Sequence, residues 1–108
     1  MRLMDYRPKE HWGPSLWKFI HLICIIDFED NEPYVTRTIS NLKSIGPVIP
    51  CHKCQSLYED HLKNLELIDP KESMVLFKWS WELHNAVNRK HNKPEMSYED
   101  ALKEYIRE

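Results

Sequence analysis

The stretch that decides the fold is residues 69–90, which read DPKESMVLFKWSWELHNAVNRK. It opens with an aspartate, a proline and a glutamate in the order that starts many helices. Apolar and polar side chains then recur at helical spacing at Met74, Phe77, Trp81, His84 and Asn88. The stretch therefore predicts a helix, ending near Lys90, with one face that mixes aromatic rings and hydrogen-bonding groups.

Four more helices are predicted around this one. The first runs from about Pro14 to Ile26, and the second follows Pro33 and is stopped by Gly46-Pro47. The third begins near Pro50-Cys51, and the fifth begins at Ser97, where Asp100 completes a capping box. Their apolar stripes are Trp17, Ile20, His21, Cys24 and Phe28; Val35, Ile39, Leu42 and Ile45; Cys54, Tyr58, Leu62 and Leu65; and Ala101, Leu102, Tyr105 and Ile106. The predicted class is all-α: a four-helix bundle with a short fifth helix packed across it.

Length and composition indicate one folded domain. The chain has 108 residues, and we expect a single domain over 1–108 with its core at about 10–106. A formal net charge of −2 gives no general attraction to nucleic acid. The longest apolar run, residues 19–28, is too short to span a bilayer, and the N-terminus lacks the apolar core of a signal peptide. The localisation stays open; a viral source would suggest the host cytoplasm or the virion.

Two of the three cysteines lie in Cys51-His52-Lys53-Cys54, at the predicted start of the third helix. Sulfurs at this spacing can approach closely enough to bond, and a helix start beside cationic side chains favours the thiolate. The motif alone also fits half a zinc site, although no second C-x-x-C or tight histidine pair follows. A thioredoxin-like motif would need a βαβ context, which is missing. Cys24 is expected to be a core residue.

Two helix faces combine aromatic rings with histidine. Trp17 and His21 share a face of the first helix, just after Trp12-Gly13, and could pack against a flat aromatic ligand. The second face carries Trp81, His84 and Asn88, and a buried polar stripe of this kind is costly unless it has partners. Lys90 and Lys93 follow at the helix end, where they could meet phosphates. Ordinary core packing explains the aromatic residues equally well.

Taken together, these pieces resemble the Erv/ALR family of FAD-linked sulfhydryl oxidases. The resemblance rests on three segments in order and covers about Glu10 to Tyr105: Trp12 to His21 (WGPSLWKFIH), Pro50 to Cys54 (PCHKC), and Leu83 to Lys90 (LHNAVNRK) with Lys93-Pro94. It implies a helical bundle, an FAD cofactor, O₂ as electron acceptor with H₂O₂ as product, a thiol-containing protein as substrate and a homodimer.

The resemblance also implies residue roles. Cys54 would be the thiol next to the flavin, and Cys51 would exchange with the substrate. The positions that match the family's FAD site are Trp12, Gly13, Trp17, His21, Trp81, His84, Asn85, Val87, Asn88 and Lys93. The family often has a tryptophan on the fifth helix near the cofactor, and Tyr105 is the nearest aromatic residue here.

The chain departs from many family members in two ways. It has no second, shuttle cysteine pair, and no cysteine near Met74, Ser97 and Tyr98, where a structural disulfide is common. It therefore resembles the minimal forms of large DNA viruses, which act on a separate thioredoxin-like or substrate protein. The alternatives are a small helical zinc-binding or interaction module and a flavin-free disulfide carrier.

Overall fold

A computed structural model describes residues 9–25, 32–49, 51–69, 72 and 74–106. Within these ranges the chain forms five α-helices and no strand: α1 (Lys9–Ile23), α2 (Glu32–Ile45), α3 (His52–Leu62), α4 (Val75–Lys90) and α5 (Tyr98–Tyr105). Short 3-10 helices follow α2 at Gly46–Val48 and α3 at Lys63–Leu67. The all-α class is confirmed. The predicted contributions of Ile26, Phe28, Pro50, Pro70 and Lys71 lie outside the described residues.

The central element of the fold is α4, which packs against α1, α3 and α5. Its buried face includes Leu76, Phe77, Trp79 and Leu83. The same core takes Ile20 from α1, Leu42 from α2 and Tyr58 from α3. Tyr58 also donates its hydroxyl hydrogen to the carbonyl of Leu42 over 2.6 Å, which ties α3 to α2. This packing is compatible with the predicted bundle.

Two predicted helix starts are wrong. α1 begins at Lys9, so Pro14 lies inside the helix and not in its first turn. α4 begins at Val75, because Met74 has a left-handed backbone (φ 56°, ψ 26°) that an α-helix cannot include. The Asp69 carbonyl instead accepts the N–H of Glu72 in a turn before the helix.

Side chains cap the starts of α5 and α3, and the cap of α5 was predicted. Ser97 precedes α5 and its hydroxyl accepts the N–H of Asp100 over 3.1 Å, as the capping prediction requires. Cys51 precedes α3, and its sulfur accepts the N–H of Cys54 over 3.3 Å. The motif therefore lies at a helix start, as predicted. No helix in the described ranges is long and apolar enough to cross a membrane.

Candidate active site

A cavity of about 520 Å³ lies where α1, α3 and α4 meet, within the size range of small-molecule and cofactor sites. α1 supplies one wall and α4 with the segment after it supplies another, while α3 contributes a thiol and a phenol ring. The lining residues are Trp12, Gly13, Pro14, Leu16, Trp17, Ile20, Ile49, Cys54, Tyr58, Leu83, His84, Val87, Asn88, His91 and Lys93. The walls are thus mainly apolar and aromatic, with a few polar groups.

Helical periodicity accounts for the two long walls. Positions 12, 16 and 20 on α1 fall on one stripe, and positions 13 and 17 fall on the stripe beside it. On α4, positions 84 and 88 form one stripe, and 83 and 87 form its neighbour. Each helix therefore presents two adjacent stripes to the cavity. Added space for a ligand is left at Gly13, where a Cβ atom would meet nothing within 4 Å.

Only one cysteine of the motif lines the cavity. Cys54 is in the wall, whereas Cys51 caps α3 and is not part of the lining. His52 and Lys53, between them, are exposed. The structure records no disulfide for Cys24, Cys51 or Cys54. The two sulfurs thus have different surroundings, one facing the cavity and one at the helix start.

The predicted aromatic and histidine faces do meet. The ring of Trp17 stacks on His84 with centroids 3.9 Å apart and planes 12° apart. His84 is in turn hydrogen-bonded to His21, with 2.9 Å between Nδ1 of His84 and Nε2 of His21. α1 and α4, which are distant in sequence, are joined at this point by both a stack and a hydrogen bond.

Both histidines are held in the neutral form. Burial, with a smaller contribution from the nearby His84, lowers the pKa of His21 to about 3. Burial also lowers the pKa of His84 to about 4, with a second contribution from the charge of Lys93. At neutral pH each ring therefore carries a single N–H.

Four of the predicted cofactor residues do not line the cavity. His21 and Tyr105 lie behind it, with their ring centroids 4.0 Å apart. Trp81 and Asn85 point to the segment after α4: the indole N–H of Trp81 donates to the Met96 carbonyl over 2.7 Å, and Asn85 exchanges two hydrogen bonds of 2.8 Å with the backbone of Met96. The predicted positions that do line it are Trp12, Gly13, Trp17, Cys54, His84, Val87, Asn88 and Lys93.

Several lining residues were not predicted. His91 stands out, because it lies seven residues, or about two helical turns, after His84 and four residues after Val87, a spacing that was readable in the sequence. Tyr58 had a similar signal, since it lies four residues after Cys54 on the predicted stripe of the third helix, whereas Ile49 reaches the cavity only through the tertiary fold. Among the described residues, no group of three or more His, Cys, Asp or Glu side chains is placed to hold a metal ion.

The donor set fits a flavin dinucleotide. A flat ring can pack against indole and imidazole surfaces, and a carbohydrate chain can use the polar atoms of Asn88 and His84. Lys93 and His91 add a cationic and an imidazole group suited to phosphate. Cys54 provides a thiol in the same cavity. The arrangement therefore combines a site for an aromatic, phosphorylated cofactor with a dithiol.

Comparison with known proteins supports the same interpretation of the cavity. The family model described as Erv1 / Alr matches residues 14–107. A protein of Acanthamoeba polyphaga mimivirus, named a probable FAD-linked sulfhydryl oxidase, is 32% identical over 98 residues, which are 86% of this chain and 67% of that protein. No solved structure matches the chain significantly.

Two further viral relatives also have the words FAD-linked sulfhydryl oxidase in their names. The protein of Invertebrate iridescent virus 6 is 28% identical over 101 residues, which are 87% of this chain and 91% of the relative. That of African swine fever virus is 28% identical over 93 residues, covering 83% and 76% of the two chains. The chain therefore belongs to the Erv1/Alr family, a family of thiol oxidases.

Proposed function

We propose that this enzyme is an FAD-linked sulfhydryl oxidase in which Cys51 exchanges with a protein thiol and Cys54 faces the cofactor. The observation that carries the proposal is the cavity wall, which includes Cys54 and excludes Cys51. When bound, FAD would supply the two-electron step that restores the disulfide and delivers the electrons to O₂, giving H₂O₂.

The exchange half-reaction uses only thiol chemistry. A substrate thiolate attacks the sulfur of Cys51 in the oxidised pair, the Cys51–Cys54 bond breaks, and Cys54 leaves as a thiolate. A second substrate thiol then attacks the mixed disulfide and releases Cys51. The N–H of Cys54 donates to the Cys51 sulfur at the start of α3, and this contact stabilises Cys51 as the leaving thiolate.

The cofactor would be held by residues of two kinds. Trp12, Trp17 and Val87 give apolar and aromatic surface, and Asn88 and Lys93 give polar and charged groups. His21, Trp81, Asn85 and Tyr105 would act one step away, by holding His84 or the segment that carries Lys93. Gly13 leaves room for the ligand to approach the α1 backbone.

The test is a visible absorption spectrum together with oxygen consumption in the presence of a dithiol. We expect yellow protein, and we expect Cys54→Ser to remain yellow but to lose turnover. Ser56→Ala, at an exposed position of the same helix, is the control and should keep full activity. A colourless preparation after expression with ample riboflavin would refute the flavin, and full activity in Cys54→Ser would refute the role of Cys54.

The substrate we propose is a protein that carries a thiol pair, for which a thioredoxin-like carrier is one form. Cys51 is partly exposed and is followed by the exposed His52 and Lys53, so an outside thiol can reach it. The matched experiment uses Cys51→Ser. It should keep the flavin spectrum but fail to oxidise a reduced protein substrate, and unchanged oxidation of that substrate would contradict the assignment.

We also propose that two copies associate, as the family resemblance implies. Phe19 and Leu22 of α1 are 54% and 47% exposed and line an apolar groove of about 370 Å³ with Ile45 of α2. Burying such side chains would favour association. Light scattering of Phe19→Asp should show a shift to monomer, whereas Leu67→Asp, which changes an equally apolar residue that is 83% exposed, should not. A dimer that persists in Phe19→Asp would place the interface elsewhere.

A further inference from the structure

A row of hydrogen bonds runs from the cavity wall into the core of the protein. It begins at His84 and passes to His21 through the 2.9 Å contact of Nδ1 with Nε2. Nδ1 of His21 then lies 2.9 Å from the hydroxyl oxygen of Ser80, which is itself 2.7 Å from the carbonyl oxygen of Phe77. Ser80 and His21 are 0% and 1% exposed. No function described above uses Ser80.

The direction of this row follows from counting hydrogens. The Ser80 hydroxyl has one hydrogen, and the Phe77 carbonyl has none to offer. If that hydrogen pointed to His21, two oxygens 2.7 Å apart would face each other without a hydrogen between them. Donation to Phe77 avoids this contact and adds a hydrogen bond. Ser80 therefore accepts from His21, and the hydrogen of the His21 ring lies on Nδ1.

The hydrogen on His84 is fixed in the same way. Because His21 carries its single hydrogen on Nδ1, its Nε2 is an acceptor, and Nδ1 of His84 must donate to it. The neutral ring of His84 then has no hydrogen on Nε2. Since Nδ1 is engaged with His21, Nε2 is the ring nitrogen left for a ligand in the cavity that His84 lines.

Neighbouring rings hold both imidazoles in place. Trp17 covers His84 with a centroid distance of 3.9 Å, and Tyr105 covers His21 at 4.0 Å. Phe77 lies 5.8 Å from His21 in a tilted arrangement. A ring packed in this way cannot rotate to exchange its two nitrogens without disturbing the core, so the row has one arrangement.

We propose that Ser80 and His21 are positioning residues that make His84 a hydrogen-bond acceptor at Nε2, so that the cavity selects a ligand with a hydroxyl or amino donor at this point. The proposal rests on the proposed function for the identity of that ligand, because FAD has hydroxyl groups on its ribityl and ribose parts and an amino group on its adenine. The hydrogen positions themselves do not depend on the cofactor.

The first test is the side-chain ¹⁵N spectrum of the purified protein, in which the two neutral tautomers of histidine give different shifts. His21→Gln and His84→Gln assign the two signals among the six histidines of the chain. We expect both rings to carry hydrogen on Nδ1. In Ser80→Ala, which removes the acceptor, we expect both rings to shift toward hydrogen on Nε2. Hydrogen on Nε2 of His84 in the unaltered protein would overturn the proposal.

The second test is FAD affinity, measured by flavin fluorescence on adding FAD to protein freed of it. Ser80→Ala should weaken binding about tenfold, which is ~1.4 kcal/mol, and Ser80→Thr, which keeps a hydroxyl, should restore most of the loss. Ser44→Ala is the matched control, since the Ser44 hydroxyl also donates to a carbonyl of its own helix but is exposed.

The two proposals fail separately. Unchanged affinity in Ser80→Ala would overturn the positioning role, whatever the tautomers show. If no variant binds FAD and the unaltered protein does not either, the proposed function fails, while the nitrogen shifts still decide the direction of the row. Affinity that falls equally in Ser80→Ala and Ser80→Thr would also overturn the proposal, because the loss would then follow core packing and not the hydroxyl.

Discussion

Replacing Asn85 with alanine tests how the segment after α4 is held against the helix. The side chain of Asn85 is almost fully buried and makes two hydrogen bonds of 2.8 Å, donating to the Met96 carbonyl and accepting the Met96 N–H. Trp81 donates to the same carbonyl over 2.7 Å. The segment between α4 and Met96 includes His91 and Lys93, which line the cavity.

The expected loss is about 2–3 kcal/mol in the free energy of unfolding. Each hydrogen bond contributes about 1 kcal/mol net, and the Met96 N–H loses its partner, which adds part of its desolvation cost. The Met96 carbonyl keeps Trp81 as a donor, so the segment stays attached at one point. A loss of this size is a large share of the stability of about 5–15 kcal/mol that is typical of such domains.

Urea denaturation of FAD-free protein measures this loss, and Asn88→Ala is the matched comparison. Asn88 is on the same helix and lines the cavity, so its side chain should matter for FAD affinity and change stability by less than about 1 kcal/mol. The Asn88 carbonyl, which accepts the Lys93 N–H, is unaffected by that substitution. Equal urea midpoints for Asn85→Ala and the unaltered protein, or a larger loss in Asn88→Ala, would refute this reasoning.

Three further predictions concern the core and its titrating groups. The pKa values of His21 and His84 are lowered to about 3 and about 4, so these rings stay neutral in the folded chain at pH 5, whereas in the unfolded chain they bind protons below the ordinary histidine pKa of 6.5. The free energy of unfolding should therefore fall by roughly 2–4 kcal/mol between pH 7 and pH 5. Equal urea midpoints at the two pH values would contradict this. Phe77→Ala should cost about 3–5 kcal/mol in a thermal or urea melt, since Phe77 is fully buried; a loss below about 1 kcal/mol would show that the core relaxes around it. Burial raises the pKa of Cys24 to about 12. A thiol reagent should therefore label the two motif cysteines of the reduced protein and reach Cys24 only after unfolding. Rapid labelling of a third thiol would show that this part of the core opens.

The periodicity of the sequence predicts which residues share a helix face, but it does not predict where each helix begins or ends. Val35 and Leu42, predicted on one stripe of α2, are both fully buried. The end of a helix depends on single residues whose backbone conformation the pattern does not reveal. Met74 is such a residue, because a methionine with positive φ is uncommon and no sequence signal marks it.

The site was predictable only where its residues share a helix. The spacing of Trp17 and His21, and of Trp81 and His84, placed each pair on one face, but not against a particular neighbour. The structure pairs His21 with His84, which are 63 residues apart, and sends Trp81 to Met96 instead of the cavity. Such pairings depend on the angle and rotation of packed helices, which a one-dimensional pattern does not contain.

α4 has two polar stripes with different tasks, and this division explains how one helix can hold several hydrogen-bonding side chains on its packed faces. Ser80 and His84 are four residues apart and belong to the row that begins at the cavity. Trp81 and Asn85 are one position further on and fasten the segment after the helix. Because the stripes are adjacent, rotating α4 to improve one would displace the other. The hydrogen-bonding role of His84 and the position of Lys93 therefore both depend on one orientation of α4. That orientation couples the cavity, which Cys54 lines, to the packing of the core.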